Sequence, residues 1–70
     1  MEEMWLARDA NNDLYLFIDE VQPKKKKTKW TGRTFSTIIE IPKRQFQEVQ
    51  WSDEEPTKVK LVINNGQINI

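Results

Sequence analysis

The sequence predicts an all-β, mainly antiparallel domain. The expected form is a small curled sheet or partly open barrel of five to six short strands, with one short helical turn near residues 42–47. Three observations carry this. The apolar runs are of strand length and rich in β-branched and aromatic residues. Turn-forming residues separate them at Asp9–Asp13, Gly32, Pro42 and Asn65-Gly66. Three Trp, three Phe and one Tyr in 70 residues supply core area, so a charged fraction of 31% does not imply disorder.

The elements follow in order. Met4 to Arg8 is a short mixed-apolar run containing Trp5 and Leu6, and Leu14 to Ile18 is a continuous apolar run. Between them Asp9-Ala10-Asn11-Asn12-Asp13 reads as a turn, because Asn and Asp tolerate left-handed angles and bond back to the main chain. The three pieces predict a β-hairpin. Leu14, Leu16 and Ile18 share one face of the second strand, and Tyr15 and Phe17 share the other. A strand apolar on both faces is either central and covered twice or presents one face to a partner.

Residues 19–29 read as a flexible, solvated loop, since Pro23 and the consecutive lysines Lys24 to Lys27 suit no packed strand. Trp30 restarts order, and Gly32 marks a bend or bulge. Thr34 to Ile41 has the strongest strand pattern. Pro42 ends it and is well placed to start a single helical turn, on which Phe46 and Val49 would share a side. Ser52 to Glu55 has capping-box spacing, but Pro56 limits it to a turn. Thr57 to Ile63 is another strand, with Val59, Leu61 and Ile63 on one face. Asn65-Gly66 suits a type I′ turn pairing Asn64 with Gln67 and Ile63 with Ile68, with Ile68 and Ile70 extending the apolar face.

Residues 1–70 form one small β-domain, short enough that stability is marginal. With no cysteine for disulfides, association with a second copy is the remaining way to add stability. The net charge is zero but unevenly spread. Residues 1–22 carry one arginine against six acids, and residues 23–44 carry eight basic side chains against Glu40. The start shows no signal-peptide pattern and no run is long enough for a membrane helix, so the expected location is cytoplasmic.

Chemistry is constrained by what is missing. Without histidine or cysteine the chain lacks the commonest general base, the commonest metal ligand and the thiol nucleophile. Asp53-Glu54-Glu55, with Asp9, Asp13, Asp19 and Glu20, has no calcium-loop spacing and reads as turn chemistry. No catalytic, cofactor-binding or metal-ligating residue is expected, and no small-molecule substrate is indicated. The chain reads as a non-enzyme, with a carboxylate-based hydrolase needing two acids facing a cleft.

Two contact sets are expected. Tyr15, Phe17 and Trp30 are candidates for contact with a protein partner, either a second copy in a homodimer or another chain, with Lys24–Lys27 steering an acidic partner. The alternative is single-stranded nucleic acid, held by Lys24, Lys25, Lys26, Lys27, Lys29 and Arg33 with Trp30 as a stacking ring. Overall neutrality and a pI near 6.2 weigh against nucleic acid.

Met4-Trp5-Leu6-Ala7-Arg8-Asp9, Leu14-Tyr15-Leu16-Phe17 and the segment from Trp51 to Leu61 together resemble a group of short bacterial proteins, often associated with prophages or mobile elements. Those begin with a W-L-A-R-D hairpin and end in W-x-D-x-E-P-x-x-V-x-L. The group has no assigned activity, so the resemblance implies a small accessory protein of bacteria or their phages and transfers no site residues. This chain departs from the group at Lys24–Lys29 and in the Asn65-Gly66 tail.

Overall fold

The computed structural model describes residues 3–64 and 67–69, with side-chain surroundings described for residues 3–61. It is all-β, with no helix among the described residues. The strands are β1 (Met4–Arg8), β2 (Leu14–Ile18), β3 (Lys24–Lys25), β4 (Trp30–Thr31), β5 (Thr37–Ile41), β6 (Thr57–Val59), β7 (Val62–Asn64) and β8 (Gln67–Asn69). Four of them form an open antiparallel sheet in the order β5-β2-β1-β6, and β3–β4 and β7–β8 are separate hairpins. The sheet does not close into a barrel, so β5 and β6 are its edges.

The β1–β2 hairpin forms as its pattern predicts, pairing Trp5 with Phe17 and Leu6 with Leu16. Its turn uses the expected chemistry. Asn12 takes a left-handed φ of 80°, and Asn11 Oδ1 accepts the Asp13 N–H at 3.0 Å. β2 is central, and both its faces are covered. On one face Leu6, Leu14 and Leu16 pack with Val49, flanked by Ile41, Phe46 and Val59. On the other, Ala7 and Phe17 pack with Trp30, flanked by Trp5, Tyr15 and Trp51. Val49 and Trp51 lie on opposite faces, so the chain changes side of the sheet at Gln50.

Four local expectations are corrected. β5 begins at Thr37 rather than Thr34, because Ser36 N–H closes a turn on Arg33 C=O at 3.0 Å. Residues 42–49 form two successive turns, Gln45 N–H to Pro42 C=O and Val49 N–H to Phe46 C=O, in place of a helical turn. Phe46, with φ 50°, interrupts the right-handed backbone between them, yet Phe46 and Val49 still reach the same core. Lys24 and Lys25 are extended and pair with Thr31 and Trp30, so the lysine segment is partly a hairpin. An exposed two-residue strand leaves ammonium groups in water, which removes the objection to lysines in a ladder. The run from Thr57 to Ile63 is split between β6 and β7 at Lys60 and Leu61. The pairings Ile63 with Ile68 and Asn64 with Gln67 occur as expected; the Asn65-Gly66 turn and Ile70 lie outside the described residues.

Candidate functional site

Arg8, the last residue of β1, stands on the same face as Met4 and Leu6, opposite Leu14. It is 5% exposed. Its guanidinium donates from Nε to Val49 C=O at 2.7 Å, from Nη1 to Asn12 and Lys43 C=O, and from Nη2 to Gln45 and Phe46 C=O. All five N–H groups are therefore engaged on carbonyls. The turns of residues 42–49 are gathered onto the sheet by this one cation, which has no donor left for a ligand.

Asp19 organises the other end of the sheet. Its carboxylate accepts hydrogen bonds from Arg33 Nε at 2.8 Å, from Arg33 Nη2, from Ser36 Oγ and from the Val21 N–H. The Arg33 guanidinium and the Ser36 hydroxyl hold its carboxyl well below the usual carboxylate range. Asp9 is buried to a similar degree but has a different balance. Burial pushes its carboxyl above 3.8, against the pull of the Trp30 N–H it accepts at 2.9 Å. Asp13 is ion-paired to Lys43 at 3.1 Å.

The expected contact residues are dispersed. Phe17 and Trp30 are 2% and 5% exposed, so neither has a face for a partner. Each fills space that an irregular covering segment would otherwise leave open. Trp30 Nε1 donates to Arg8 C=O at 3.1 Å, which anchors the ring inward. Tyr15 is half-buried, edge-on to Phe17 with centroids 6.5 Å apart. Lys25 lies 4.2 Å over the Trp51 ring and donates to Trp51 and Asp53 C=O, fastening β3 to residues 51–53. Arg33 is held by Asp19. Lys24, Lys26, Lys27 and Lys29 remain exposed, and the structure gives them no ion pair with a described residue. The set proposed for nucleic acid thus keeps four cations, but its ring is covered.

The sequence did not single out β5 as a contact surface. Phe35, Ile38 and Ile39 are 77%, 49% and 44% exposed. Ile38 pairs with Phe17 and Ile39 with Leu16, so the two isoleucines lie on opposite faces of an edge strand. The one available sign was the adjacency of Ile38 and Ile39, which makes both faces apolar as in β2. The two edges differ. β6 has three residues, follows Pro56 and carries Lys58, whereas β5 has five residues and no lysine or proline. Lysine and proline discourage pairing with another chain, so of this sheet's two edges β5, whose one charge is Glu40 and which stops before Pro42, is the less guarded.

An open polar groove of about 340 Å³ runs beside the β1–β2 turn, lined by Asp9, Asn12, Lys43, Gln47, Gln50 and Trp51. Two of its charged groups are committed, Asp9 to Trp30 and Lys43 to Asp13. Among the described residues no three carboxylates gather to hold a metal ion, and no helix is long and apolar enough to cross a membrane. No family model, no curated protein and no solved structure matches this chain.

Proposed function

We propose that this chain is a non-catalytic interaction module that joins another polypeptide by strand addition at β5. The observation that carries this is the less guarded edge: five extended residues with Ile38 and Ile39 half in water beside exposed Phe35. An edge strand offers a row of unpaired N–H and C=O groups, and an incoming strand satisfies them while covering the isoleucines. The buried ionisable groups support the non-catalytic part. Arg8 is spent on carbonyls, Asp19 on Arg33 and Ser36, and Asp9 on a backbone N–H, so each serves the fold. On the W-L-A-R-D and W-x-D-x-E-P resemblance, the same proposal takes the chain as a bacterial or phage accessory protein acting in the cytoplasm.

The test is amide hydrogen exchange at residues 37–41 of the full chain, with and without a capped synthetic peptide copying residues 36–42. Strand addition predicts slower exchange at alternate β5 amides when peptide is added, and no change at β6. Exchange at β5 that neither the peptide nor rising protein concentration slows overturns the proposal.

A further inference from the structure

We propose that the strand added at β5 is β5 of a second copy, antiparallel and centred on Ile39, so that two four-stranded sheets join into one of eight. This rests on the edge-pairing function above and names its partner. Three features of the molecule support it.

The first is register. Antiparallel pairing across a two-fold axis normal to the sheet keeps each side chain on its own face. Centring on Ile39 places Ile39 opposite its symmetry mate, Ile38 opposite Glu40, and Thr37 opposite Ile41, which uses all five residues of β5. Centring on Glu40 would set two like charges directly opposite and bring in Pro42, which has no N–H to give. Centring on Ile38 would run into the turn closed by Ser36 and Arg33. The longest ladder and the least electrostatic conflict therefore coincide.

The second is charge. The two ends of the sheet differ in net sign. At the β1–β2 turn end, Thr28 C=O accepts the Ala10 N–H, which brings the tip of the lysine hairpin there, and Lys43 pairs with Asp13 in the turn itself. Lys26, Lys27, Lys29, Lys43 and Arg44 thus gather beside the C-terminal end of β5, where Ile41 pairs with Leu14, and outnumber Asp9 and Asp13 there. At the opposite end Asp19 N–H donates to Glu3 C=O, which puts Glu3, Asp19 and Glu20 near the N-terminal end of β5, where Thr37 pairs with Ile18; Lys58 pairs with Glu3 and Arg33 with Asp19, so this end keeps one acid in excess. Antiparallel pairing lays the basic end of each copy against the acidic end of the other. A parallel arrangement would set like against like.

The third is the core. In the joined sheet the row Leu14, Leu16, Ile18 continues through Ile41, Ile39 and Thr37 into the same row of the second copy. The contact is confined to one five-residue strand and its neighbours, below the ~800 Å² per partner of a standard interface, so the dimer is weak and reversible.

The chain contains no cysteine, which makes the register directly readable. Directly opposed residues in an antiparallel ladder have Cα atoms about 4.5–5.5 Å apart, within disulfide range. Ile39→Cys in the full chain is expected to oxidise rapidly to a covalent dimer. Thr37→Cys alone is expected to oxidise slowly, and an equimolar mixture of Thr37→Cys and Ile41→Cys to give the mixed dimer. Sedimentation of the unaltered chain from micromolar to millimolar concentration should show a monomer–dimer equilibrium that shifts several-fold toward monomer as salt rises. A chain that stays monomeric at millimolar concentration overturns the proposal, and so does a dimer in which position 39 cross-links no faster than position 37. If the 36–42 peptide protects β5 while the full chain remains monomeric, strand addition survives and the second copy is excluded. If neither peptide nor concentration protects β5, both fall.

Discussion

Two aspartates of nearly equal burial do opposite things to stability, and the difference comes from what each carboxylate accepts. Asp19 is held ionised by Arg33 and Ser36, so its folded value lies below its unfolded value. Its stabilisation is complete above about pH 4 and is lost as pH falls toward the folded value. Asp19→Asn should therefore lower the thermal midpoint by several degrees at pH 7. The gap from the unaltered chain should narrow steadily below about pH 4, as melts across a pH series would show. Asp9 is the reverse case. Burial raises its folded value, so ionisation at pH 7 costs stability that protonation at lower pH would restore. Asparagine keeps an oxygen for the Trp30 N–H and removes the charge, so Asp9→Asn should match or exceed the unaltered midpoint at pH 7. A clear loss there would show that the charge itself is needed. Arg8 shows the same dependence on partners. Lysine cannot reproduce five donors in a planar fork. Arg8→Lys should cost about 3 kcal/mol in urea denaturation, because several buried carbonyls lose their donor.

Among the elements, close approach of backbone to side chain decides what is tolerated. A Cβ on Gly32 would stand 3.0 Å from Ser36 Oγ and 3.2 Å from Phe17 Cδ2. One contact belongs to the Asp19 network and the other to the core ring, and neither has room to yield. Gly32→Ala should therefore lose about 1–2 kcal/mol of folding stability, measured by denaturant midpoint. The sequence marks this glycine as a bend or bulge, but the structure turns at Thr34–Phe35 instead, and the reason for Gly32 lies in residues distant in sequence. The same division runs through the fold. The β1–β2 hairpin was legible because apolar runs of strand length and Asn/Asp turn chemistry are local; its register is given by the structure. The start of β5, the turns at 42–49 and the Lys24–Lys25 ladder were not, because each is set by a tertiary partner: Asp19, Arg8 and Trp51 respectively. Arg8 itself reads as a surface charge until the carbonyls above it are known. Its one local sign is that it falls in phase with Met4 and Leu6. Equally, adjacent apolar residues in β2 and β5 have the same pattern, and only the sheet order tells that β2 is covered and β5 is an edge.

For the whole molecule, the contrast between centre and edge separates folding from association. A domain of 70 residues has a stability of roughly 4–10 kcal/mol. Its sheet is covered on both faces by segments that are mostly turns, so the core depends on a few large side chains. Phe17 is the largest of the fully buried ones, and it contacts the layer carrying Trp30. Phe17→Ala should remove about 3–5 kcal/mol, a large part of that total, and leave much of the population unfolded by circular dichroism at 37 °C. Ile39→Lys acts at the other extreme. Its side chain is 44% exposed on the outer strand, where a lysine can keep its ammonium in water. It should leave the unfolding free energy measured in urea within about 1 kcal/mol of the unaltered chain while abolishing concentration-dependent association, because a charge at the centre of the ladder opposes its own symmetry mate. If Ile39→Lys unfolded the chain as Phe17→Ala does, β5 would be part of the core rather than its open margin. If it folded and still associated, the contact would lie elsewhere on the surface. Only retained folding with lost association agrees with a scaffold that is complete in its interior and unfinished along one strand.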